Sequence, residues 1–340
     1  MVTFELFLTI AWLKDYHYLC NAMKNNIRRF SPGFVNHCYQ NTVGGGLLFY
    51  SVSGYLVMFT IICVAARRYG VRVLKVCLMP DHVHGSYVAE SLQELSGFIG
   101  FYTSFFAKEF NDVCGRRGQL FNRPYGSAPK YGDKKVRSNF IYVDNNPVER
   151  HLVEKAEDYR WNFLAYANTG NPFSQKVIRR KASSALKNAM SMVDVLHGKG
   201  RFLTFKVLHN WFGKLNAKEA NQLVDYIITK YNVIDYEGST CYFGSYGNEL
   251  LALHSTSGNE YDIKEPFVGK RDDCYAKLSS ILARSKKYKT VYEVMGLPEE
   301  KRWGIFSHLY GRTEATREQL KKFLHLKEEP EAESGAKPSV

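Results

Sequence analysis

Between Ser91 and Asp112, the residues Leu92, Leu95, Phe98, Ile99, Tyr102, Phe105 and Phe106 recur at spacings of three and four. That spacing predicts a long helix with one apolar stripe, and Ser91 with Glu94 supplies a capping box at its start. Such a stripe is stable only when buried against another layer. The chain just upstream offers one. Val71 to Met79, VRVLKVCLM, is nearly all apolar, as expected of a strand covered on at least one face.

Neighbouring segments extend the pattern. His37 to Tyr50, HCYQNTVGGGLLFY, reads as a strand, a tight glycine turn or bulge, then a second strand or extended segment. Tyr55 to Tyr69 reads as a helix closed by Gly70. Its apolar run to Ala66 is shorter than the roughly 20 residues a membrane span needs, so a buried helix is expected. Ser138 is placed to cap a helix through Val143 and Asn146.

Between the two halves of this pattern lies MPDHVHGSYV, Met79 to Val88. In a strand, side chains at i and i+2 share a face, so His82 and His84 point together and Val83 points away. Two imidazoles supply two metal ligands, and a metal site needs more. The bland alternative is two histidines on a strand. Further along, NFIYVDNNPVERHLV places Tyr142 four residues before Asn146, on one helical face. A phenol and an amide oxygen can then reach the same metal-bound phosphate; the plainer reading is a helix end with Tyr142 in the core.

The formal net charge is +13, from 46 Lys and Arg against 33 Asp and Glu. A field of that sign attracts polyanions, nucleic acid above all. Arg116 to Arg137 concentrates it: Arg116, Arg117, Arg123, Lys130, Lys134, Lys135 and Arg137 stand against the single acid Asp133, a local charge of +6. Apolar content of 45% and aromatic content of 14% exclude a disordered chain. The seven cysteines form no CxxC pair and suit reduced thiols. The first residues lack a basic leader before their apolar run, so no signal peptide and a cytoplasmic, nucleoid-associated protein are expected.

LMPDHVHGSYV, the long helix, RRGQLFNRPYGSAPKY and FIYVDNNPVERHLVEKAEDYRWNFLAYA, in that order, resemble the single-tyrosine HUH transposases. The similarity is greatest to the REP-associated tyrosine transposases, relatives of the insertion-sequence-200-like enzymes. It covers about residues 34–167. The family's histidine–hydrophobic–histidine motif falls on His82-Val83-His84, its Tyr-Ile-His-x-Asn-Pro-Val motif on Tyr142 to Val148, and its Tyr-x-Trp motif on Tyr159-Arg160-Trp161. Asp81 stands where Asn is frequent, Asp144 where His is frequent, and Gly85 where a larger apolar residue is usual. Asp144 is expected near the metal.

The resemblance implies an α+β fold over 31–167, an antiparallel sheet flanked by helices (ferredoxin-like); beyond it the chain itself reads as a mainly helical C-terminal domain. It also implies Tyr142 as nucleophile, His82, His84 and Asn146 as ligands of Mg²⁺ or Mn²⁺, and cleavage and rejoining of single-stranded, hairpin-associated DNA through a 5′-phosphotyrosine. The basic residues of 116–137 would hold the DNA. Tyr125 and Tyr131 can stack on bases, Tyr102 belongs to the core, and Tyr87 is a further nearby tyrosine. His37 and His151 are by default surface or core histidines.

Organisation follows as an N-terminal extension (1–30), the catalytic domain (31–167), a basic linker (168–190), a helical accessory domain (191–327) and a disordered acidic tail (328–340). Pro298 to Tyr310, a Gly311-Arg312-Thr313 turn and a helix capped by Thr316 and Gln319 suit either a helix-turn-helix or a helical hairpin packed on the catalytic domain. No membrane partner is expected, and the protein is read as a monomer or homodimer. Two other functions compete: a non-catalytic or domesticated DNA-binding regulator, and a zinc-binding structural protein. The second lacks a fourth Cys or His, because Cys77 is read as too far up its strand to join.

Overall fold

The computed structural model describes residues 28–256, 271–285, 287, 288 and 290–327. The expected N-terminal extension up to residue 27 and the acidic tail lie outside the described residues, as do Cys20, Lys286 and Lys289.

The first part follows a βαββαβ order: β1 (Val35–Asn41), α1 (Val52–Tyr69), β2 (Arg72–Met79), β3 (His82–Val88), α2 (Leu92–Cys114) and β4 (Gly126–Lys130). Helix α3 (Asp133–Glu149) follows. The strands lie in the order β2-β3-β1-β4, and every pairing is antiparallel. This is the ferredoxin-like arrangement, and the fold is α+β.

Alternation along β3 sorts the two faces. Val83 and Tyr87 turn toward α1 and α2, where the Tyr87 ring meets Phe98 with centroids 4.9 Å apart. Gly85 lies on the same face, and a Cβ there would run into the Tyr87 ring; this explains why no larger residue occupies the position. Of the α2 stripe, Leu95, Phe98, Ile99, Tyr102 and Phe106 are buried, whereas Leu92 and Phe105 stay exposed at its margin. Ser91 accepts from the Glu94 amide, and the Glu94 carboxylate reaches the Glu90 amide instead of closing the box on Ser91. Helix α1 ends on Gly70 with φ 66°, a left-handed cap that glycine adopts without strain. By length and composition α1 passes for a membrane span, but 67% of it is buried inside the protein.

Three expectations need correction. No second strand follows the glycine turn: Val43–Gly45 makes a 3₁₀ turn, with Gly44 and Gly45 at positive φ, and 46–50 enters the core as irregular chain. Helix α3 begins at Asp133, five residues before Ser138, because the chain turns into it directly from β4 through Gly132 at φ 75°. It continues past Asn146: Pro147 sits in the last turn and the helix ends at Glu149.

Beyond residue 167 the described chain is helical. Helices α4 (Ser184–Gly198), α5 (Phe205–Phe212), α6 (Ala217–Tyr231), α7 (Tyr236–Thr240) and α8 (Tyr246–Ser255) come first. Helices α9 (Cys274–Arg284), α10 (Val291–Met295), α11 (Glu299–Leu309) and α12 (Arg317–Phe323) follow. One hydrophobic cluster runs from Phe59 and Phe106 through Leu223 and Ile227 to Tyr292 and Phe323. The helical region is therefore packed onto the α1–α2 layer. Thr316 and Gln319 form the expected capping box, with bonds of 2.8 and 3.2 Å. Leu320 and Phe323 of α12 are fully buried, as is Leu324 just after it. The apolar face of α12 is therefore committed to the core.

Candidate active site between β3 and α3

His82 and His84 project from the sheet face that α3 covers, as their i, i+2 spacing requires. Register brings His37 and Tyr39 of β1 and Lys75, Cys77 and Met79 of β2 to the same face. From above, α3 presents Asn139, Tyr142 and Asn146, spaced by three and four. Asn146 Nδ2 lies 3.3 Å from His84 Nε2. The Tyr142 ring centroid is 5.4 Å from that of His84, and the His82 and His84 rings are 4.6 Å apart. The expected nucleophile and all three expected ligands thus meet in one place. All four are buried, none more than 3% exposed.

Polar atoms in this cluster fit a cation. His82 Nε2 and Asn146 Oδ1 are buried and have no hydrogen-bond partner, an arrangement that is costly unless something else satisfies it. Asp81 Oδ1 lies 2.6 Å from His82 Nδ1. A carboxylate there accepts the Nδ1–H bond and so turns Nε2 toward the cluster, the pattern that orients ligating histidines. Burial pushes the Asp81 carboxyl up, but His82 and Lys322 outweigh it and hold the group well below the usual carboxylate range. Imidazole with an amide oxygen suits Mn²⁺ or Mg²⁺. Among the described residues no three His, Cys, Asp or Glu side chains are grouped to hold a metal, so any such site depends on Asn146.

Several partners escaped the sequence reading. His37, by default a bystander, has its ring 5.3 Å from His84 and 5.7 Å from Tyr142. Ser86 Oγ donates to Asn139 Oδ1 at 2.7 Å, and Asn139 Nδ2 donates to His37 Nδ1 at 2.5 Å. The proton of His37 then sits on Nε2, which is buried and has no hydrogen-bond partner. Burial, His84 and Lys130 all push His37 down, well below the ordinary histidine value, with Asn139 opposing. The helical spacing of Asn139 to Tyr142 was readable; the pairing of β1 with β3 was not. Asp272 is also buried, 3.8 Å from Arg150; burial and then Asp81 push it up to about 6.

Other expectations move. Asp144 does not line the histidine cluster: its carboxylate meets Lys75 Nζ at 2.7 Å, and Lys75 also reaches Glu249 at 2.6 Å. Burial pushes Asp144 up to about 6 against the pull of Lys75. Cys77 is not too far along its strand, since it lies directly across from His84. Its thiol is nonetheless held protonated, pushed well up by burial and then by Asp144. Tyr125 is buried, bonded to Ser96 at 2.9 Å and covered by Arg28 at 4.6 Å, so it offers no face to a base; Tyr131 is 52% exposed. Tyr159 donates to Leu78 O at 2.8 Å and Trp161 stacks on Tyr55 at 4.4 Å, both structural.

The basic segment does not form a single loop. Strand β4 divides it, because Gly126 pairs with Tyr39 while Lys130 pairs with Val35. Arg116, Arg117 and Arg123 precede β4, on the side where Thr42 bridges Phe121, the end of the sheet at which β3 begins with His82. Lys130, Lys134, Lys135 and Arg137 lie toward the opposite end. Arg116 is partly committed, with its guanidinium 3.4 Å from His325 Nδ1.

No protein-family model matches this chain, and no curated protein is significantly similar to it. A solved structure of a REP-associated tyrosine transposase bound to a REP hairpin is similar over 40% of this chain and 79% of that one. The identity is 17% and the TM-score 0.35. A likeness of that size carries no chemistry, which rests on the side chains described above.

Proposed function

We propose that the chain is a metal-dependent DNA strand transferase that cuts and rejoins single-stranded, hairpin-associated DNA through Tyr142. The observation that carries this reading is the meeting of Tyr142 with His84 across a space where His82 Nε2 and Asn146 Oδ1 have no hydrogen-bond partner.

In this reading, the Tyr142 oxygen forms a bond to a backbone phosphorus while the bond to the 3′ oxygen breaks. The phenolic proton is lost and the 3′ oxygen gains one, leaving a 5′-phosphotyrosine and a 3′-hydroxyl. Attack by a 3′-hydroxyl reverses the step, because a phenolate of pKa about 10 is a good leaving group. His82, His84 and Asn146 would hold Mg²⁺ or Mn²⁺, which supplies charge neutralisation at the phosphate. The Nε2–H of His37 is a neutral donor beside the same space, suited to an anionic oxygen. Because the cluster is buried, a DNA strand reaches it only after its cover parts.

Incubating the full chain with labelled hairpin DNA and Mn²⁺ tests the reading. A covalent protein–DNA adduct on a denaturing gel is the expected result. Tight binding without any adduct would instead identify a non-catalytic DNA-binding regulator.

A further inference from the structure

The carboxylate that orients His82 is itself held from the far end of the chain. Asp81 lies in the tight turn between β2 and β3, with Oδ1 on His82 Nδ1 at 2.6 Å. Its Oδ2 meets the ammonium of Lys322, a residue of α12. The last carbonyls of a helix have no partner within the helix. Here the carbonyls at the end of α12 and just past it are captured: Lys322 O by Leu47 N at 3.4 Å, Phe323 O by the Tyr50 hydroxyl at 2.7 Å, and Leu324 O and His325 O by Arg302. His325 Nε2 returns a bond to Leu47 O at 2.8 Å. With the backbone locked on both sides, Lys322 is delivered to Asp81 by a rigid segment.

We propose that Lys322 is a positioning residue for His82, acting through Asp81, so that the C-terminal helix α12 is part of the candidate metal centre. The inference rests on the function proposed above. A carboxylate bonded on one oxygen alone can rotate and offer either oxygen to His82. With Oδ2 occupied by Lys322, Oδ1 is fixed on Nδ1 and the imidazole is held with Nε2 directed into the cluster. The alternative is an ordinary ion pair, since the Lys322 side chain is 25% exposed, and such pairs contribute little.

Mn²⁺ titration of the full chain, read by electron paramagnetic resonance of the free ion, separates the two. Losing a group that orients a ligand typically weakens metal affinity by about 10–100-fold. Lys322→Met, which keeps the aliphatic stem, is expected to raise the Mn²⁺ Kd at least about tenfold, and Lys322→Arg is expected to restore most of it. Asp81→Asn should weaken binding too, and adding Lys322→Met to it should change nothing more, since both act on one path. A readout without metal is the His82 Nδ1–H proton resonance: a single sharp downfield signal is expected in the wild type and a broadened, faster-exchanging one in Lys322→Met, because the bond to Asp81 is less rigidly held. An unchanged Kd in Lys322→Met, or additive losses in the double variant, would overturn the inference. If His84→Ala binds Mn²⁺ as well as wild type, the proposed function itself fails. If His84→Ala abolishes binding and Lys322→Met leaves it intact, only the role of Lys322 falls.

Discussion

Asn146 Nδ2 stands 3.3 Å from His84 Nε2, which makes one helix-to-strand contact the seam of the candidate site. Helix α3 therefore brings the amide and Tyr142 to the histidines together. Asn146→Ala should depress cleavage at low Mn²⁺ more than at high Mn²⁺, because one oxygen donor is lost and both imidazoles stay. His82→Ala should be worse at every concentration, imidazole being the stronger donor. Rates measured across a Mn²⁺ series check both; equal losses at all concentrations in Asn146→Ala would remove it from the ligand set.

Tyr142→Phe removes a single hydroxyl from a ring that stays packed against His84 and His37. Covalent adducts should vanish while hairpin affinity stays within about twofold, since only the reacting atom is lost. An adduct that persists in this variant would place the nucleophile on another tyrosine.

Lys75 lies buried between Asp144 and Glu249, at 2.7 and 2.6 Å, and joins β2, α3 and α8. Replacing it by Met leaves two carboxylates buried without their cation, a change that costs about 3–5 kcal/mol. The urea midpoint should fall accordingly. Lys75→Met combined with Asp144→Asn and Glu249→Gln should recover much of that loss, because no charge is then stranded.

His325 anchors the C-terminal segment to Leu47 at φ 52°. Burial lowers it from 6.5 to about 4, with Arg116 and Arg302 adding to the effect. The folded state thus resists a proton that the unfolded chain accepts. Stability is complete above about pH 6.5 and falls as the pH drops toward 4, by about 3 kcal/mol in all. His325→Asn, a residue tolerated at positive φ, should flatten this slope in a melting-temperature series between pH 7 and 4.

Lys134 and Lys135 are exposed on the first turn of α3. Reversing both to Glu should weaken DNA binding and lower the salt slope by about two units if each meets a phosphate. The same reversal at Arg117 and Arg123, beyond the other end of β4, shows which end the strand follows. An unchanged slope in both variants would leave the basic segment as solvated surface.

The sequence by itself determined what depends on neighbours along the chain. The stripe Leu95 to Phe106 reported the helix, the HxH spacing put two imidazoles on one strand face, and Tyr142 with Asn146 reported one side of α3. These are properties of local periodicity, 2 for a strand and 3.6 for a helix, and they survive without knowledge of what packs where. Tertiary structure decided the rest. Whether Asp144 meets a metal or Lys75, whether Cys77 lies opposite His84, and whether His37 is a bystander all depend on strand order and register. Register is set by pairing segments dozens of residues apart. The delivery of Lys322 to Asp81 spans 241 positions from turn to helix. No periodicity encodes it, because it is produced by the core that docks α12 and by backbone carbonyls that need partners.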